Sequence, residues 1–283
     1  MEDLASGFRE KADMLRENDD PAGATVLYRK AADMGDAGAA SSLGYMLMVG
    51  EGIPVDREGS EHYLRMAAES GDTAAMCNLG VLLSDPEWFS RASDLGSIRG
   101  TKNLAAAYAM GSGVGMDKVR AAQLYQRAAD MGDVDSMCVL ASMLRNGDGI
   151  PVDKMGAAGY YRKAADMGDR DAQYDLAFML DSGEGIPQDR MEAERLFRLS
   201  AEQGDTDACL CLGGILYERG EYREAERWFL EAALKGDVKA SYNLGLMYAD
   251  GSLGEPDHIK ATEWFESAAS EGFVYAQTMM GTL

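Results

Sequence analysis

The sequence predicts an all-α protein, a solenoid of antiparallel helix pairs, and three observations carry that prediction. The hexapeptide Ala-Ala-Asp-Met-Gly-Asp recurs, ending at Asp36, Asp133 and Asp169. Looser copies end at Asp72, Ser97, Asp205, Asp237 and Phe273, so successive endings fall 36 residues apart except for one step of 25 and one of 32. Self-similarity at such a period marks stacked helical hairpins, each burying its flanks against the next. Small residues and aromatics also recur at fixed offsets from each ending, as close helix packing requires.

The first hairpin spans 1–36. Leu4, Phe8, Ala12 and Leu15 share one face of a helix from about Glu2 to Glu17. Asn18-Asp19-Asp20-Pro21 is a turn with an acidic N-cap and proline at the first helical position, leading into a second helix from Ala22 to Met34.

Full repeats follow at 37–72, 98–133, 134–169, 170–205 and 238–273. Each opens with a helix A of the form small-x-x-x-Leu-Gly/Ala, as in Ala39…Leu43-Gly44, Ser136…Leu140-Ala141 and Ala240…Leu244-Gly245. The Gly or Ala beside the leucine lets a partner helix approach closely. A loop comes next: Gly50-Glu51-Gly52-Ile53-Pro54-Val55-Asp56, with counterparts at 111–117, 147–153 and 183–189. Its first glycine suits a left-handed C-cap, its apolar residue plugs the gap between hairpins, and its closing aspartate caps helix B. Helix B carries a small residue twelve before each ending (Ala24, Ser60, Ala121, Ala157, Ala193, Ala225, Ala261). Eight before the ending stands a bulky one (Tyr28, Leu64, Phe89, Tyr125, Tyr161, Phe197, Phe229, Phe265).

Two repeats are short. Residues 73–97 join helix A to helix B through Leu83-Ser84-Asp85-Pro86, and 206–237 turn at Arg219-Gly220-Glu221-Tyr222. Residues 274–283 read as a lone terminal helix with no helix B after it. Met279, Met280 and Leu283 give it an apolar end that invites self-association. The whole of 1–283 is thus expected to be one repeat array of eight hairpins and a terminal helix.

The Gly-x-Gly-Ile/Val-x-x-Asp loop, followed by Ala-x-x-Tyr/Trp-Tyr/Phe-x-x-Ala-Ala-x-x-Gly, resembles the Sel-one-like repeat family, relatives of the tetratricopeptide repeats. The resemblance covers nearly the whole chain. It implies a right-handed superhelix that serves as an adaptor or scaffold for protein complexes, with no common catalytic centre and no cofactor. A secreted, cysteine-rich branch of the family is credited with β-lactam binding or hydrolysis. This sequence has Ala164-Ala165 where that branch places a helix B cysteine, which weakens the transfer of that activity.

Composition and motifs narrow the function. Asp and Glu number 48 against 27 Lys and Arg, a net charge of −21, which repels nucleic acid and anionic lipid and favours a basic partner. The start lacks a signal peptide's charged and apolar regions, and no run approaches a membrane span, so the cytoplasm is the expected location. His62 and His258 stand in different repeats, and Cys77, Cys138, Cys209 and Cys211 form no disulfide framework or zinc spacing. The glycine loops carry acid where a phosphate would sit and lack an EF-hand ligand set. No catalytic or metal residue is therefore assigned.

By analogy with tetratricopeptide geometry, helices A line a concave groove. Positions flanking the helix A leucine then supply the candidate partner-binding residues: Tyr45, Met48, Lys102, Met110, Arg145, Tyr174, Phe178, Tyr217, Tyr242 and Leu246. Aromatics beside charges are what recognition surfaces use. The expected function is a non-catalytic scaffold gripping a peptide or protein segment. The alternatives are a β-lactam-acting enzyme and a self-assembling spacer.

Overall fold

The computed structural model describes residues 2–280, and every regular element among them is an α-helix. In chain order these are α1 (Glu2–Glu17), α2 (Pro21–Asp33), α3 (Ala37–Val49), α4 (Arg57–Glu69), α5 (Thr73–Leu83), α6 (Pro86–Asp94), α7 (Ile98–Met110), α8 (Lys118–Asp130) and α9 (Val134–Asn146). There follow α10 (Lys154–Asp166), α11 (Arg170–Ser182), α12 (Arg190–Glu202), α13 (Thr206–Glu218), α14 (Tyr222–Leu234), α15 (Val238–Ala249), α16 (His258–Ser270) and α17 (Val274–Met280). The expectation for Leu283 lies outside the described residues.

The recurring Gly-Asp ending does two jobs at once. Gly35, Gly132 and Gly168 adopt φ between 91° and 95°, the left-handed turn that stops a helix B. The next residue then caps the following helix A: Asp36 accepts from the Ala39 amide at 2.8 Å, Asp133 from Ser136 at 2.9 Å, and Asp169 from Ala172 at 2.8 Å. Each such cap contributes about 1 kcal/mol. In the loops, Gly50 and Gly183 are left-handed C-caps, and Asp56, Asp117, Asp153 and Asp189 cap helices α4, α8, α10 and α12. The exception is α14, whose N-cap Glu221 makes no side-chain cap bond.

The chain forms two compact units. The first runs to Met143 and includes Gly147–Pro151; the second comprises Leu144–Asn146 and the chain from Val152 on. In the first, Leu43, Met46, Leu47, Leu64 and Leu79 are fully buried, with Phe8, Leu15 and Ile53 packed against them. One expectation fails here: Leu4 is 58% exposed, and Ala5 and Ala12 carry the α1 face inward with Phe8 and Leu15. A helix starting at Glu2 turns Leu4 just past the edge of that stripe. In the second unit Leu176, Met179, Phe197, Leu212, Leu216 and Phe265 are fully buried.

Glycine beside the helix A leucine sets the helix spacing. A Cβ on Gly44 would lie 2.6 Å from Leu64 Cγ, and one on Gly245 would lie 2.5 Å from Phe265 Cε1. At the same crossing, the buried Ser60 hydroxyl donates to the Gly44 carbonyl at 2.7 Å.

Candidate functional site

The loop between helices A and B lies back on the start of the preceding helix B. A Cβ on Gly52 would meet Pro21 Cβ at 2.7 Å, on Gly113 Pro86 Cδ at 2.6 Å, on Gly149 Lys118 Cβ at 2.2 Å and on Gly185 Lys154 Cβ at 2.2 Å. The loop acid between the two glycines anchors the contact: Glu51 receives Arg16 Nε at 2.6 Å, and Glu184 receives Arg145 Nη2 at 2.6 Å. The short connection of 206–237 has no such loop, and Gly220 meets nothing within 4 Å. The start of α12 is therefore left without a loop over it.

There a cleft of about 600 Å³ opens. Phe178 and Asp181 of α11, Met191 and Glu194 of α12, and Leu210, Gly214, Ile215 and Glu218 of α13 line it, with Phe197 beneath. Phe178 is 41% exposed, and the Arg145 guanidinium covers it 5.3 Å from the ring centroid. Arg219 closes one edge, donating to Glu194 at 2.7 and 2.9 Å, and also pairs with Glu221. Those bonds hold Glu194 below the usual carboxylate range against the opposing effect of burial. In the cleft wall the Cys211 thiol is pushed up to about 11, first by burial and then by Asp207 and Asp181. Burial, then the neighbouring Cys211 and the Asp207 carboxylate, likewise hold the Tyr174 phenol above its ordinary range. The sequence placed Phe178 on this surface but missed Met191, Leu210 and Ile215. The missing signal was the four-residue deletion in 206–237, which uncovers the preceding helix.

The first unit has a smaller, apolar hollow of about 270 Å³ at the other short repeat. Gly80, Val81, Pro86, Phe89, Ala106 and Met110 are among its lining residues, and Met110 is 70% exposed.

The other predicted residues are engaged by the chain itself. Tyr45 is half-buried with Arg16 stacked 5.8 Å from its ring, and Met48 is half-buried beside it on α3. Lys102 reaches Asp133 at 3.2 Å and Asp135 at 2.7 Å. Arg145 bonds Asp175 at 3.2 Å besides Glu184; burial nonetheless pushes the Asp175 carboxyl upward. Tyr174 packs 5.8 Å from Phe197. Tyr217 donates to Asp250 at 2.8 Å. Tyr242 lies 5.6 Å from Phe265 and 5.2 Å from Phe273, and together with Leu246 it packs on the last core cluster, where Met279 of α17 also sits. Arg145 and Phe178 are thus brought together, as are Tyr242 and Leu246. Cys77 is fully buried, because α5 packs against both α3 and α7.

Among the described residues no cluster of histidine, cysteine or carboxylate side chains has the geometry of a metal site, and none of the four cysteines is in a disulfide. No helix of the described residues is long and apolar enough to cross a membrane.

Comparison with known proteins follows the same repeat. The Sel1 repeat family model matches at 16–36, 37–72, 87–97, 101–133, 134–169, 170–205, 207–237 and 238–273. Among solved structures, a protective antigen present in uropathogenic Escherichia coli strains and displaying an SLR fold is 31% identical with a TM-score of 0.88. That alignment covers 98% of this chain and 64% of the antigen, so this chain spans less than two thirds of its length. A Sel1 repeat protein from Oxalobacter formigenes is 24% identical, TM-score 0.61, over 93% of this chain and 99% of that one, a likeness of fold. The cysteine rich protein B of Helicobacter pylori reaches 20% identity and a TM-score of 0.36 over 49% of this chain and 95% of its own. Among curated proteins no sequence matches.

Proposed function

The chain belongs to the Sel1 repeat family, and from that premise we propose that it is a non-catalytic scaffold holding a segment of another protein against its helix A surface. Sel1 repeat proteins are generally protein-interaction scaffolds, and their fold is mostly non-catalytic. The observation that carries the reading is Phe178. One side of its ring is stacked by Arg145 and the side chain remains 41% exposed at a cleft of about 600 Å³. An aromatic held rigid and left open is the kind of anchor that dominates protein interfaces.

Met110 in the first unit is the second anchor in this reading. Met48 in the first unit, and Tyr174, Tyr242 and Leu246 in the second, shape the surface of their own unit, and Tyr45, Lys102, Arg145 and Tyr217 supply polar rims already tied to their own chain. The acidic surface makes a basic protein segment the favoured partner and disfavours nucleic acid. The cysteines, none of them in a disulfide, suit a reducing compartment and support the cytoplasm as the place of action.

Selection of a displayed random peptide library against the full chain tests this. Enriched peptides should lose binding to the Phe178→Ser or the Met110→Ser protein, with helical circular dichroism unchanged. Peptides indifferent to both substitutions, or no enrichment at all, would overturn the reading.

A further inference from the structure

We propose that the cleft between α11, α12 and α13 receives a partner segment in which one bulky apolar side chain is flanked by a lysine or arginine. This rests on the scaffold reading and specifies the occupant of one site.

The floor and walls are apolar. Phe178, Phe197, Leu210 and Ile215 contribute carbon surface, and Met191, 79% exposed, is a flexible thioether able to close over a guest of varied shape. Those groups select an apolar side chain but not its neighbour. The rim does that. Of its charged groups, Glu194 and Arg219 satisfy each other through two hydrogen bonds. Among the described residues Asp181, Glu218 and Arg190 make no ion pair, which leaves two carboxylates against one guanidinium. Asp207 adds to the negative side, since it and Asp181 both raise the Cys211 thiol in the cleft wall. An acidic segment would meet repulsion there, and a basic one would recover part of its lost hydration. A second copy of the chain, itself at −21, is disfavoured on the same ground. The cleft lies where the connection after α13 is too short to cover α12.

Gly214 makes a clean test possible. It lines the cleft in mid-helix, and a Cβ there would meet nothing within 4 Å, so Gly214→Leu plugs the space without a clash. The full chain, labelled with 13C in its methionine methyl groups, is titrated with short Gly/Ser peptides carrying a central Leu-Arg, Leu-Glu or Ser-Arg. The Met191 signal is identified from the Met191→Leu protein. The Leu-Arg peptide should shift that signal saturably, with the other two weaker by about tenfold or more. Gly214→Leu should abolish the shift without lowering the melting temperature. The Asp181→Asn, Glu218→Gln double variant should erase the preference for Arg over Glu.

A shift without that preference, a shift that persists in Gly214→Leu, or no shift at all overturns the assignment. So does a Met191 signal that moves with protein concentration alone, which would mark a second copy as the occupant. None of these results touches the library selection on Phe178 and Met110, so the scaffold reading stands or falls separately.

Discussion

Gly213 lies so close to Phe229 that a Cβ on it would sit 2.7 Å from the ring, whereas its neighbour Gly214 faces open space. The two glycines share a helix and a sequence context, and only the side they face differs. Gly213→Leu should lower stability by about 1–3 kcal/mol through overpacking. Gly214→Leu should raise it by about 0.5–1 kcal/mol, because a helical glycine costs backbone entropy. Thermal unfolding of the two proteins decides the matter, and shifts of the same sign would contradict the assigned facing.

Arg145 serves a loop more than a partner. It bonds Glu184 and Asp175 and stacks on Phe178, and its side chain is only 18% exposed. Arg16 with Glu51 and Lys118 with Asp148 repeat the theme of a cation from the preceding hairpin holding the acid between the loop glycines. Arg145→Met should therefore speed amide exchange at Glu184, Gly185, Ile186 and Gln188, while overall stability falls by no more than about 1 kcal/mol, since Lys154 still reaches Glu184 and the pair is partly solvated. Exchange as slow as in the unsubstituted protein would show that the loop is held by packing alone.

Much of the fold was legible because the repeat states its own spacing. Gly-x-Gly loops, the leucine with its adjacent small residue, and the bulky helix B position all took the predicted roles. What escaped the sequence was combination. That Gly-Asp endings stop one helix and cap the next needs both helices in view. Leu4 falls outside the buried stripe by a small rotation that no single residue announces. At the candidate site, Phe178 could be placed from its offset to Leu176. The cleft beside it could not, because it arises from four absent residues near Gly220 acting on Met191 in another hairpin.

Acid should expose the role of the Arg219–Glu194 bridge. Arg219, opposed by burial, holds the Glu194 carboxyl below its ordinary value. A depressed folded pKa means stabilisation that is full above the unfolded value near 4 and lost as pH falls through the folded one. Glu194→Gln should accordingly lower the urea midpoint at pH 7, and the gap should close as acid protonates Glu194 in the folded protein. Because both proteins shed the same remaining negative charge on acidification, the difference between them isolates this group. A gap that stays constant across the range would mean the bridge contributes through packing only.

Restoring the missing loop is the most direct test of why the cleft exists. Replacing Arg219-Gly220-Glu221 with the Gly-Glu-Gly-Ile-Pro-Gln-Asp segment of 183–189 adds back the four residues by which this repeat is short. The longer connection costs a few tenths of a kcal/mol in closure entropy, and it removes the Arg219 bridge to Glu194. In exchange its second glycine can settle on Arg190 as Gly185 settles on Lys154, and its aspartate supplies the cap that Glu221 does not make. The grafted protein should melt at or above the original temperature, because a helix cap contributes about 1 kcal/mol. The Leu-Arg peptide should no longer shift the Met191 methyl signal. Retained peptide binding in a stably folded graft would mean that the cleft owes its shape to α11 and α13 themselves, and that the deletion beside it is incidental.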